Sequence, residues 1–247
     1  MTTKVLGKNA IQSSLKGIKI LDNIERNQTG IKYGLDIWNV YDFLFRDKNN
    51  LPKLKVLEIS IPSSSKYIVE SKSMKLYLNE FYNISFKKDS LLIAKIKTDL
   101  EKIIHSDVRV RFINKFDPEP SYFDPEPSYL NINDTTLVKS KSNSLLKFNG
   151  FRSICPVTSQ PDFANVYIYS DKQISIKWVR EYLMSYQDQG DFHEQCIEAI
   201  FNDVNDEYNC EHLEVCGRFQ RRGGIDINPI RGNKKNILFK NFREFNQ

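Results

Sequence analysis

The chain has 247 residues, 40% of them hydrophobic and 27% charged, enough for one large or two small soluble domains whose core needs no disulfide staples. No apolar run approaches the roughly 18 residues of a membrane span, and the opening MTTKVLGKNAIQSSLKG has no apolar signal core, so a cytoplasmic location is expected. The net charge of +5 is concentrated near one end: from Arg218 onward eight Lys or Arg stand against two Asp or Glu. A basic segment of that kind suits an anionic partner, nucleic acid or a phosphorylated small molecule, or is a solvated chain end.

Residues 54–61, LKVLEISI, read as a strand. Met74, Tyr77, Leu78 and Phe81 then recur at helical spacing. A second helix is predicted over 89–104, with Asp89 or Ser90 as N-cap and Leu92, Ile96, Leu100 and Ile103 on its apolar side. VRVRF (108–112) alternates as a strand. Next comes a Pro- and acid-rich stretch in which Phe116–Tyr122 is repeated as Phe123–Tyr129, an extended connection. The second half repeats the order. Residues 144–154 and 164–170 form a strand pair, 174–186 and 191–204 are helices, 212–219 alternates, and 225–230 is a last strand. The expected class is α+β, in two related modules, each an antiparallel sheet backed by a helix pair. The modules are placed at 1–115 and 145–247, with a linker over 116–144.

Of the four cysteines, Cys155 follows a strand and precedes CPVTSQPDF's stiff proline turn, where a side chain reaches a cleft. A thiol there is either core packing or a nucleophile. Asp162, seven residues on, is a polar turn residue or a proton donor to whatever the sulfur attacks. His193 shares a helical face with Ile197, Ile200 and Val204, so it points inward from the first turn. Asp191 and Glu194 have the spacing of a capping box. Glu70 opens ESKSMK, with Lys72 and Lys75 nearby, and suits a helix N-terminus. Arg218, Arg221 and Arg222 before Gly223 and Gly224 can grip a phosphate or form a basic hairpin turn. Cys210, His212 and Cys216 are close in sequence, but their spacing matches no common zinc pattern, and no metal is expected. Neither a Rossmann nor a Walker A glycine pattern is present.

Together GLDIW (34–38), VESKSMKLYLNEF (69–81), CPVTSQPDF (155–163), FHEQC (192–196) and RRGGIDINP (221–229) resemble the NADPH-dependent 7-cyano-7-deazaguanine reductases, the nitrile reductases of queuosine synthesis in tRNA modification, in their longer two-module branch. The resemblance implies two tandem tunnelling-fold modules and an NADPH-driven reduction of a nitrile to a primary amine. It implies Cys155 as the nucleophile that forms a thioimide, Asp162 as proton donor and His193 as an aid to proton handling. Val69, Glu70, Ser71, Phe192, His193 and Glu194 would bind the substrate, and Ser71, Lys72, Arg222 and Gly223 the cofactor. The expected assembly is a homodimer with no stable nucleic-acid or membrane partner. Two alternatives stand beside it: another tunnelling-fold purine or pterin enzyme such as a cyclohydrolase, which needs zinc, and a basic RNA-binding module.

Overall fold

The computed structural model describes residues 15–27, 30–120, 128–131 and 144–247. Residues 121–127 of the duplicated heptad therefore lie outside the described residues. The chain forms two compact units that interleave in sequence. The first takes residues up to Asn27, Trp38–Asn114 and Arg222–Ile225, and the second Gln28–Ile37, Lys115–Arg221 and Asp226–Gln247. Both are α+β with antiparallel sheets.

In chain order the elements are β1 (Asn23–Glu25), β2 (Tyr33–Arg46), β3 (Pro52–Pro62), β4 (Tyr67–Val69), α1 (Ser71–Asn79), α2 (Asp89–Ile104), β5 (Arg109–Ile113), β6 (Ser128–Asn131), β7 (Ser144–Ile154), β8 (Pro161–Ser170), α3 (Ile176–Met184), α4 (His193–Tyr208), β9 (Leu213–Phe219) and β10 (Ile225–Gly232). The helices and strands anticipated from periodicity are all present. The fourteen-residue β2 is an addition. Its alternation is broken by Gly34, Asp36, Asn39 and Asp42, and two of these polar residues, Asp36 and Asn39, are buried.

In the first unit β3 lies between β2 and β5, with Val56 opposite Ile113 and Ser60 opposite Arg109 in antiparallel register. Phe43 of β2 packs its ring within 5.8 Å of Phe81 and 6.1 Å of Phe112. Helix α2 buries Leu92, Ile96, Leu100 and Ile104, so Ile104 rather than Ile103 closes its apolar stripe. Its N-cap is Lys88, without a side-chain cap bond, and not Asp89 or Ser90. Asp89 sits instead in the first turn, where its charge meets the positive end of the helix dipole.

Helix α1 is capped by Glu70. Its buried carboxylate accepts from the backbone N–H groups of Lys72 at 2.8 Å and Ser73 at 2.7 Å. The Ser73 hydroxyl donates to the Glu70 carbonyl at 2.7 Å and accepts from the Asp22 N–H at 3.0 Å. Burial raises the Glu70 carboxyl above its ordinary value, more than the two N–H donors lower it.

In the second unit the order is β10-β9-β8-β7-β6. All pairs are antiparallel except β6 with β7, which is parallel and departs from the expected antiparallel sheet. Both faces are buried. Leu146, Val166, Ile168 and Val215 face α3 and α4, packing with Val179, Ile197, Ile200 and Val204. Leu145, Tyr167, Tyr169 and Cys216 face the other way, under Phe239 and Phe242 of the C-terminal segment. Helix α4 lies so close to β9 that a Cβ on Gly217 would come within 2.7 Å of Ile197 and 2.8 Å of Phe219.

Two of the basic residues counted near the C-terminus are core groups. Arg231 pairs with Asp36 at 2.7 Å and with Glu198 at 2.7 Å, all three side chains buried. Arg218 donates to the Phe242 carbonyl and lies 4.6 Å from the centre of that residue's ring. Arg218 is thus not a phosphate grip. Its charge is used inside the fold.

Gly217→Ala should cost about 1–3 kcal/mol, the usual penalty for overpacking a close contact, read as a lower denaturant midpoint. Glu70 supplies a pH test. Its raised folded pKa means the native state holds the proton more tightly than the unfolded chain. That contribution is present below the ordinary carboxylate value and lost as pH rises through the folded value. The stability of the protein relative to Glu70→Gln, which cannot ionise, should therefore fall as pH rises across that window, measured by denaturation of both proteins at each pH.

Candidate active site

The thiol of interest sits at a hairpin mouth in the second unit. β7 and β8 pair Ser153 with Asp162 and Ile154 with Pro161, so Cys155 is the first residue beyond the ladder and Asp162 lies one step inside it. The loop closes on itself: the Cys155 N–H donates to the Gln160 carbonyl at 2.8 Å, and the Ser159 N–H to the Cys155 carbonyl at 3.0 Å. Ser159 takes a left-handed φ of 56° to make the turn. The segment between α3 and α4 braces the same spot, where the Ile154 N–H donates to the Gln189 carbonyl at 2.8 Å.

That segment leads directly into α4. Phe192 is the N-cap, and its N–H donates to the Gln195 side chain at 3.3 Å. The expected Asp191–Glu194 capping box is therefore not formed: the N-cap is Phe192, whose ring accepts no hydrogen bond, so only the Gln195 half of such a box is present, and Glu194 turns inward, only 4% exposed. His193 is the first residue of the helix. Its Nε2 lies 3.2 Å from Oδ1 of Asp162, and both side chains are largely buried. Its ring stacks on Phe219, centroids 3.9 Å apart and planes 12° from parallel. Asp162 and His193, thirty-one positions apart in the sequence, are thus brought together beside the hairpin that carries Cys155.

The four sulfurs differ sharply. Cys196, Cys210 and Cys216 are buried, and Cys155 is the partly exposed one. Burial pushes the Cys196 and Cys216 thiols up to about 12 and raises Cys210, which keeps them protonated at neutral pH. Cys210 packs in the core beneath the helices and Cys216 in the core on the opposite face, while His212 Nε2 contacts Glu214 at 3.0 Å. Among the described residues no three His, Cys, Asp or Glu side chains gather into a metal-holding group.

The remaining candidates lie in the first unit. Val69 ends β4 and is buried with Glu70. Ser71 is half-buried at the first turn of α1, and Lys72 is exposed. Beside them is a cleft of about 240 Å³ whose lining includes Asp42, Lys72, Lys75, Asn79 and Gly223. Gly223 and Gly224 form a two-residue turn closed by the Arg222 N–H on the Ile225 carbonyl at 2.8 Å, with φ of 56° and 79°. The Lys75 ammonium stands 3.5 Å from where a Gly223 Cβ would be. At Gly224 a Cβ would come 2.2 Å from the Asp42 carboxylate. An ammonium group beside a side-chain-free turn, with a second lysine in the same cleft lining, forms a place where a phosphate can approach backbone and charge at once. This donor set fits the phosphates of a nucleotide cofactor. Lys75 and Asp42 were not assigned to the cleft from sequence. For Lys75 a signal existed, since it follows Lys72 by three residues on one helix. For Asp42 there was none, because β2 itself was not foreseen.

Residues 14–112 match the family model described as nitrile reductase, 7-cyano-7-deazaguanine-reductase N-term, and residues 161–237 match that of QueF-like protein. A Buchnera aphidicola (subsp. Schizaphis graminum) protein named NADPH-dependent 7-cyano-7-deazaguanine reductase is 36% identical over 216 residues, covering 81% of this chain and 82% of its own length. Proteins of the same name from Coxiella burnetii (strain Dugway 5J108-111) and Legionella pneumophila (strain Lens) are each 34% identical. They cover 87% and 85% of this chain and 82% and 78% of their own lengths. With most of both chains aligned in each of these relatives, the chain belongs to the NADPH-dependent 7-cyano-7-deazaguanine reductase family.

Proposed function

We propose that this protein reduces the nitrile of 7-cyano-7-deazaguanine to the aminomethyl group with NADPH, in the queuosine pathway, through a covalent thioimide on Cys155. The observation that carries the mechanism is the Asp162–His193 contact of 3.2 Å beside the hairpin that presents the one partly exposed thiol.

A nitrile carbon is a weak electrophile, and sulfur addition makes it a better one. The thiol proton of Cys155 passes to the Asp162–His193 pair as the sulfur forms the C–S bond and the displaced π pair moves to the nitrile nitrogen. Asp162 delivers the proton to that nitrogen and leaves a neutral C=N–H. NADPH, when bound, supplies a hydride for each of the two reductions the amine requires. After the first, the C–S bond breaks, the electron pair returns to Cys155, and an imine remains for the second. His193 hands protons to the nitrogen as its basicity grows. Lys72, Arg222, Gly223 and Ser71 hold the cofactor, with Lys75 adding its charge at the glycine turn.

Recognition of the heterocycle rests on acceptors. A guanine-like edge presents N–H donors, and a buried carboxylate is the acceptor such donors need. Glu194 in the second unit and Glu70 in the first are buried carboxylates of this kind. Glu70 has given one bond per oxygen to the helix it caps, which leaves further lone pairs on each oxygen. Phe192 offers a ring for stacking and Val69 an apolar wall. The reading includes a homodimer acting in the cytoplasm, and the dimer is checked by light scattering of the purified protein.

The decisive assay follows NADPH absorbance with 7-cyano-7-deazaguanine. Two NADPH consumed per substrate is the expected result, and no turnover by the intact protein sinks the reading. Cys155→Ala should abolish turnover and the covalent adduct seen by mass spectrometry. Asp162→Asn should slow turnover by about 10²–10⁴-fold, the usual share of a general acid. Lys72→Ala should raise KM for NADPH and leave adduct formation intact.

A further inference from the structure

Asp162 touches only one edge of the His193 imidazole, at Nε2. The other ring nitrogen, Nδ1, is buried and has no hydrogen-bond partner among the described residues. One hydrogen bond fixes one atom of a ring and lets the rest pivot about it. Proton handling needs a donor held in line, and a misplacement of about 1 Å can cost about 10²-fold in rate. Something else must therefore hold the plane of this ring.

We infer that Phe219 is the positioning residue for His193, and that Gln247 holds Phe219 in place for the task. Phe219 ends β9, is fully buried, and lies face to face with the imidazole at 3.9 Å and 12°. The contact blocks tilting of the ring toward the sheet. Phe219 is itself clamped on three sides. Its backbone is paired across from Ala164 of β8, two residues past Asp162. The edge of Phe151 meets its ring at 6.1 Å and 88°. The Gln247 amide donates to its carbonyl at 2.9 Å. The same amide donates to Asn228 at 2.8 Å, and its oxygen accepts from the Glu244 N–H at 2.9 Å, so Gln247 ties the end of β9 to β10 and to the C-terminal segment. Asp162 and Phe219 thus reach His193 from neighbouring strands, one by its edge and one by its face. The proposal rests on the reading that His193 handles protons in nitrile reduction.

The chain holds three histidines, His105, His193 and His212, so side-chain NMR resolves each imidazole, and His193→Gln assigns the relevant signal by its disappearance. Phe219→Leu keeps an apolar side chain and removes the ring. The expected result is a downfield move of the His193 ring-proton signal as the ring current is lost. Alongside it, kcat should fall about tenfold with KM for NADPH unchanged. Gln247→Ala leaves the ring in place but frees its strand end. It should shift the signal in the same direction by less and lower kcat by a smaller factor. It also carries the test alone if Phe219→Leu does not fold. A His193 signal that stays put in the folded variants overturns the proposal, and so does a signal that moves while kcat stays at the wild-type value. Failure of the wild-type protein to consume NADPH would instead overturn the functional reading, while the NMR signal would still report the stack.

Discussion

The close approach of α4 to β9 is the constraint on which the thiol site depends. Gly217 allows it, because no side chain stands between the strand and Ile197. Ile197 is one turn beyond His193 on the same face, so the depth at which the helix beds sets the height of the imidazole above the sheet. Asp162 comes from β8, Phe219 from β9, and the hairpin with Cys155 from β7 and β8. Each of these strands has its place fixed by antiparallel register, which cannot slip by one residue without reversing every side chain.

Whether an element keeps one side wet or is buried all round governs how much of the chain could be read in advance. Alternation in VRVRF and helical spacing in α2 and α4 were plain, because each of those segments has one wet side. The β2 strand was hidden because its polar residues Asp36 and Asn39 are buried, and the ion-pair partner of Asp36 lies far away in sequence. Arg231, the partner of Asp36, looked like part of a charged tail for the same reason. Charge in a sequence is read as exposure until a partner is known. Here the partners are 195 and 33 positions away, at Asp36 and Glu198.

The candidate site divides along the same line. Cys155, Asp162, His193 and Lys72 could be nominated from sequence because their motifs are short and contiguous. The stack of Phe219 on His193, the clamp by Gln247 and the place of Asp42 beneath Gly224 were not, since each joins distant segments by packing alone. Glu194 is an instructive middle case. Its spacing from Asp191 suggested a surface cap, but the helix starts one residue later than that spacing requires, and the carboxylate goes inside. A shift of one residue in a helix start, about 100° of rotation, separates a solvated cap from a buried acceptor.

The uneven treatment of the four sulfurs has a consequence for anyone seeking to probe or block this protein. Intrinsic reactivity does not distinguish one cysteine from another in the chain, but burial removes three of them from competition. An electrophilic probe therefore meets a single addressable atom. Its selectivity is decided by whether it fits past residues 156–160 and against the Asp162–His193 pair, and not by how strongly it reacts with thiols in general. The fold acts as the protecting group, and the hairpin loop is the part of the molecule whose shape an inhibitor has to match.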